Sequence, residues 1–147
     1  MAKLRFELVS PERIVYSDDD VDMVLVPGVD GELGILPNHA PLLTALGVGE
    51  LRVKKGAEEE AFAVSAGFME VLANKVIVMA YTAERADEID VARAEAARER
   101  GERRYRERPD GLDMARLQAA LRRSKVRLKV ARRRRRRPRM ETPREEA

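Results

Sequence analysis

Apolar residues recur at every second position up to about Thr82 and at every third or fourth position beyond it, so a single chain carries two incompatible periods. The first is the period of strands. Leu4, Phe6 and Leu8 alternate with Lys3, Arg5 and Glu7, and Val21, Met23 and Leu25 repeat the pattern around Asp22. Short runs follow at Ile14–Tyr16, Leu33–Leu36, Leu42–Ala45, Glu50–Lys54, Ala61–Val64, Phe68–Leu72 and Val76–Thr82. Turn chemistry separates them at Pro27-Gly28, Asp30-Gly31, Lys55-Gly56, Ala66-Gly67 and Asn74-Lys75. Nothing before residue 82 has room for a crossover helix, so the spacing predicts an antiparallel β-sandwich or barrel rather than a parallel α/β sheet.

Beyond Thr82 the β-branched and aromatic content falls and Ala, Glu and Arg, all helix formers, take over. Asp87 or Asp90 is placed to cap a helix running to about Arg106, where Arg108-Pro109-Asp110-Gly111 forces a break, and Asp113 can cap a second helix. Leu117, Ala120, Leu121, Ser124, Leu128 and Ala131 form one stripe on that second helix, and Ala92, Ala96 and Ala97 offer the first helix a close approach. At about 25 cal/mol per Å2 of apolar area, such an Ala-rich seam contributes only a few kcal/mol before entropy is subtracted, so the hairpin should be marginal by itself. Six successive arginines, Arg132–Arg137, precede Pro138, Pro143 and Glu145-Glu146, a composition expected to be disordered. The predicted division is therefore α+β: a β-sandwich over residues 1–84, a two-helix arm over 85–131 and an Arg-rich tail over 132–147.

Charge divides at the same place. Residues 1–82 carry 7 Lys/Arg against 13 Asp/Glu, and residues 83–147 carry 22 against 13. An acidic domain with a basic arm suggests that the arm meets an acidic partner. With no cysteine there are no disulfides, thiolate metal sites or cysteine nucleophiles. No run approaches the ~18 uncharged apolar residues of a membrane span, and Met1–Phe6 lacks the apolar stretch of a signal peptide. His39 is the sole histidine, and neither a Ser-His-Asp set nor a paired-carboxylate cleft assembles around it, so catalysis by this chain alone is not expected. A nucleic-acid-binding β module with a basic tail is the competing class. It is disfavoured by the acidic β domain and by the absence of Trp with only three Phe and three Tyr for base stacking.

The stretch Gly31-Glu32-Leu33-Gly34-Ile35-Leu36-Pro37-Asn38-His39-Ala40-Pro41-Leu42-Leu43 closely resembles the signature loop of the epsilon subunit of F-type rotary ATP synthases. Ser65-Ala66-Gly67-Phe68-Met69-Glu70-Val71, Asn74-Lys75-Val76, Ala83-Glu84-Arg85-Ala86 and Ile89-Asp90-Val91-Ala92-Arg93-Ala94 follow in the family's order, so the likeness spans about Leu4 to Val130. It implies a sandwich of about ten strands followed by an antiparallel helical hairpin, in a non-catalytic subunit of a proton-translocating complex. The implied position is on the central stalk at the cytoplasmic face of a bacterial inner membrane, bound to the gamma subunit and the c-subunit ring, with no nucleic acid partner.

The resemblance also implies roles for individual residues. Glu32 would contact the c ring, and His39 would face gamma. Glu84, Asp90, Arg93, Ala94, Arg123 and Arg127 would bind one ATP as a regulatory ligand in the folded arm, with no cofactor required. Arg123 and Arg127 lie four apart, on one helix face, and can offer several donors to phosphate oxygens. Without a Gly-rich phosphate loop the pocket would sense nucleotide rather than hydrolyse it. Extended instead, the arm would bring its arginines near acidic segments of the catalytic beta subunits and restrain ATP hydrolysis.

Overall fold

Eight strands and two helices follow in order in the computed structural model, which describes residues 2–136. The strands are β1 (Leu4–Val9), β2 (Ile14–Val21), β3 (Met23–Gly28), β4 (Gly31–Ile35), β5 (Leu42–Leu46), β6 (Gly49–Lys55), β7 (Glu58–Leu72) and β8 (Lys75–Arg85). A short 3-10 turn, Ala86–Glu88, leads into α1 (Val91–Glu107) and α2 (Met114–Arg136). The sheet path is β2-β1-β8-β7-β5-β3-β4, with β6 bridging β3 and β7.

In β1 alternation places the core where the sequence predicts it, whereas in β3 the core face is Val24 and Val26 rather than the expected Met23 and Leu25. Leu4, Phe6 and Leu8 of β1 are 0–1% exposed and meet Val24, Val26, Leu51, Val53, Phe62, Met69 and Val78 between the layers. The expected Ala66-Gly67 turn is instead a bend inside one continuous strand. The first half of β7 pairs with β6 from Lys55↔Glu58 to Gly49↔Val64, and its second half pairs with β5 from Leu46↔Gly67 to Leu42↔Val71. The strand therefore passes from one layer to the other, which explains how eight strands do the work of about ten. Gly67 permits this with a φ of +143°, and a Cβ there would stand 2.0 Å from the Met79 carbonyl oxygen.

The sequence predicts antiparallel pairing, and one pair departs from it. β1 lies parallel to β8, from Arg5↔Lys75 to Val9↔Met79. The absence of a crossover helix argues against a parallel α/β sheet, but one parallel pair needs only a long connection, which the rest of the sandwich supplies.

Carboxylates tie the strand ends together. Asp22 binds the Lys3 ammonium and accepts from the Gly56 N–H at 2.6 Å; Asp18 accepts from the Lys55 Nζ at 3.2 Å and the Tyr16 hydroxyl at 3.2 Å. The Lys3 and Gly56 bonds hold the Asp22 carboxyl below its ordinary value. Burial pushes Asp18 up, but the Asp20 N–H, Lys55 and Tyr16 together outweigh it and leave a net lowering. Folded-state values below the ordinary 3.8 mean that this stability is present above that pH and is lost as pH falls through the lowered values. Thermal melts from pH 7 downward should show a steep acid limb, and Asp22→Asn should flatten it by lowering its near-neutral end while leaving its most acidic end nearly in place. Identical limbs for both proteins would refute the assignment.

Both helix starts follow the sequence reading. Asp90 caps α1 by accepting from the Arg93 N–H at 3.0 Å, and Asp113 caps α2 by accepting from the Arg116 N–H at 3.1 Å. Arg108, in the left-handed conformation at φ 42°, ends α1. Leu117, Ser124, Leu128 and Ala131 are buried along the predicted stripe. The facing positions on α1 are Ala94 and Gly101 rather than Ala92, which is exposed, and a Cβ at Gly101 would press to 2.6 Å from a Leu121 methyl.

The expected disorder from Arg132 is corrected as far as Arg136, which α2 includes. Arginine is a good helix former, and the segment is anchored by the buried Val130 and Ala131 just before it. The rest of the proposed tail, 137–147, lies outside the described residues.

Candidate functional site

Two surfaces carry residues that the sequence singles out, and a third emerges from the structure. The first lies where the arm meets the β domain. Val130 and Ala131 of α2 pack with Ile89 on Ala61 and Ala63 of β7, a patch of small side chains. Glu84, near the end of β8, forms a two-pronged ion pair with Arg127, Nε to Oε2 at 2.6 Å and an Nη to Oε1 at 2.9 Å. Of the six residues expected to hold ATP, the structure joins these two directly. Asp90 and Arg93 are joined through the backbone cap, and Ala94 is fully buried under α2. Arg93 and Arg123 are exposed.

A cleft of about 900 Å3 does open between the arm and β7, but it is lined by Glu59, Asp87, Arg98, Lys125, Lys129 and Arg132 among others, and by none of the six. Glu84 and Arg127 satisfy each other in this state, so a nucleotide at the expected position would have to separate them. Among the described residues no group of His, Asp or Glu is arranged to hold a metal ion.

The second surface is the β3–β4 hairpin. Glu32 stands exposed near the start of β4 and accepts from an Arg52 Nη at 3.3 Å, while Val29 at the hairpin tip is 60% exposed. A carboxylate beside an apolar tip suits a partner that presents both basic and apolar groups.

The third surface was not anticipated. In register across five strands lie Ile14, Val9, Met79, Phe68 and Ala45, each paired with the next, on β2, β1, β8, β7 and β5. This row faces outward. Ile14 is 62% exposed, Met79 46% and Phe68 49%, and Leu43, Leu72 and Tyr81 extend the same apolar face at 70%, 53% and 66%. An apolar face of this extent on an otherwise highly charged chain marks a protein–protein contact. The signal was present in the unbroken apolar run Val76-Ile77-Val78-Met79-Ala80-Tyr81, since a strand with one wet face would alternate.

His39 sits in the β4–β5 loop, its Nδ1 2.6 Å from the Ala40 carbonyl oxygen. The neighbouring Asn38 N–H donates to Asn74 Oδ1 at 2.9 Å, which ties this loop to the β7–β8 turn at the end of the apolar face.

Comparison with known proteins gives a consistent picture. Residues 3–86 match the family described as ATP synthase, Delta/Epsilon chain, beta-sandwich domain, and residues 87–132 match ATP synthase, Delta/Epsilon chain, long alpha-helix domain. The chain is 50% identical over 139 residues to the ATP synthase epsilon chain of Dehalococcoides mccartyi, covering 94% of this chain and 99% of that one. It is 57% identical over 105 residues to that of Desulforamulus reducens, covering 71% and 79%. In fold it is similar to a chain of the Euglena gracilis mitochondrial ATP synthase OSCP/F1/c-ring structure, with a TM-score of 0.67 at 20% identity, covering 90% of this chain and 79% of that one. No helix among the described residues is long and apolar enough to cross a membrane.

Proposed function

Given that the chain belongs to the ATP synthase delta/epsilon family, as a non-catalytic epsilon subunit of the central stalk, we propose that it joins gamma to the c-subunit ring and that its arm restrains ATP hydrolysis when it leaves the β domain. The apolar row centred on Phe68 and Met79, with the His39 loop at its end, is the gamma-facing surface. The β3–β4 hairpin with Glu32 is the c-ring contact, which puts the chain peripheral to the membrane, at its cytoplasmic face.

The observation that carries the regulatory reading is the thinness of the arm's seat. α2 rests on the sandwich through Val130, Ala131 and a few small side chains, supplemented by ion pairs. A contact this small can be exchanged for another at modest cost. The extended arm would then offer its arginines to the catalytic beta subunits.

ATP would favour the folded arm by binding it better than the extended one, using Arg93, Arg123 and Arg127 for phosphate oxygens and Glu84 and Asp90 for base or ribose donors, beside the backbone at Ala94. The population shifts only by that difference in affinity. Titration of ATP into the isolated chain should show binding that Arg93→Ala weakens by about tenfold or more. Equal binding by the two proteins, or none, would reject the site. Deleting residues 87–147 should raise hydrolysis by the assembled complex at low ATP by about fivefold or more; an unchanged rate would reject the inhibitory arm.

A further inference from the structure

The last described turns of α2 reach a notch on the β domain that neither the predicted nucleotide residues nor the apolar face includes. Glu50 of β6 is almost wholly buried, its side chain 6% exposed, and it lies between two guanidinium groups. Arg133 of α2 donates its Nε to Glu50 Oε2 at 2.5 Å and brings an Nη to 3.8 Å from Glu59. Arg52 of β6 lies 3.4 Å from Glu50, 3.9 Å from Glu59 and 3.3 Å from Glu32. Lys54 completes the group at 3.8 Å from Glu59. Among the described residues three carboxylates thus face three cations, and one of those cations is delivered by the arm.

We propose that Arg133 is an electrostatic latch that holds the arm on the β domain. Removing it leaves Glu32, Glu50 and Glu59 facing, among the described residues, Arg52 and Lys54 alone, with Glu50 still enclosed by the sandwich. An under-neutralised carboxylate in a buried setting is costly, so the notch favours return of the arm. Because the notch is half-shielded, the latch resists salt better than a pair on the open surface. Val130 and Ala131, three and two residues before it, set the depth at which Arg133 enters.

The latch rests on the arm being the part that switches, yet its test needs neither nucleotide nor other subunits. Failure of the nucleotide site and failure of the latch are therefore separable. The full chain has no cysteine, so Glu12→Cys and Arg104→Cys, both at exposed positions, can carry a pair of distance probes. At low salt, Arg133→Gln and Glu50→Gln should each raise the population with the arm away from the β domain by about tenfold. The double substitution should do little more than either alone, because the two residues form one contact. A distance distribution unchanged by Arg133→Gln overturns the latch, as does fraying of the last turn with the probes undisturbed. Multiplicative effects of the two substitutions overturn it as well. Should Glu50→Gln disturb the sandwich, Arg133→Gln against Arg133→Lys decides: lysine, keeping the charge, should hold the arm down better than glutamine.

Discussion

Gly67→Ala is expected to destabilise the chain by about 3 kcal/mol or more, enough to unfold a large share of a domain whose total stability is of order 5–15 kcal/mol. Two causes add. The backbone at Gly67 holds φ at +143°, where an L side chain is strained, and the added Cβ would stand 2.0 Å from the Met79 carbonyl oxygen and 2.9 Å from the Ala80 Cα. Neither neighbour is a flexible side-chain end; both belong to the backbone of β8, so relief requires the strand pair to separate where β7 changes layers. Urea melts of the full chain measure this directly. A midpoint shift equivalent to less than about 1 kcal/mol would mean that the bend is not the constraint described.

The second large effect concerns association. Phe68→Glu combined with Met79→Glu should weaken binding to gamma by about a hundredfold, since buried aromatic and thioether anchors at the centre of a contact carry much of its energy. The fold should survive, because both side chains point outward and are about half exposed already. An affinity within a few-fold of the unchanged protein, measured by reconstitution with purified gamma, removes the face from the proposed function. A Leu43→Glu variant at the margin of the face should cost less than the central pair.

Local rules read the helices well. Asp90 and Asp113 were identifiable as caps because an N-cap needs only a short side chain and the three residues that follow it, all contiguous in sequence. Strand content was legible for the same reason, from alternation within each run. Long-range facts were not. The parallel pairing of β1 with β8 joins residues about seventy positions apart, and no local signal distinguishes a strand pair of that kind. Ala66-Gly67 has the chemistry of a turn, and only the continuous pairing to both sides shows that it bends a strand instead.

The site divides along the same line. The motif around Asp90 and Arg93 is a local feature and could be read, but the contact of Glu84 with Arg127 requires the arm to be folded back on the sandwich. The arginine run was assigned to disorder and to a partner from its composition, whereas Arg133 finds its carboxylate on β6, 83 residues away. Charge composition cannot show which of many arginines has an acceptor waiting.

One consequence of the bent strand reaches past stability. Phe68 and Leu72 on one half of β7 belong to the apolar face, and Glu59, Ala61 and Ala63 on the other half form the seat of the arm. Both are carried on a single covalent segment that hydrogen-bonds along both its edges. The half that carries Phe68 and the half that seats the arm are therefore held in one fixed relation by the strand and its neighbours. In the proposed function, the grip on gamma and the seat of the arm would thus be coupled through strand backbone rather than through a loop, and their relative orientation would be set by the fold.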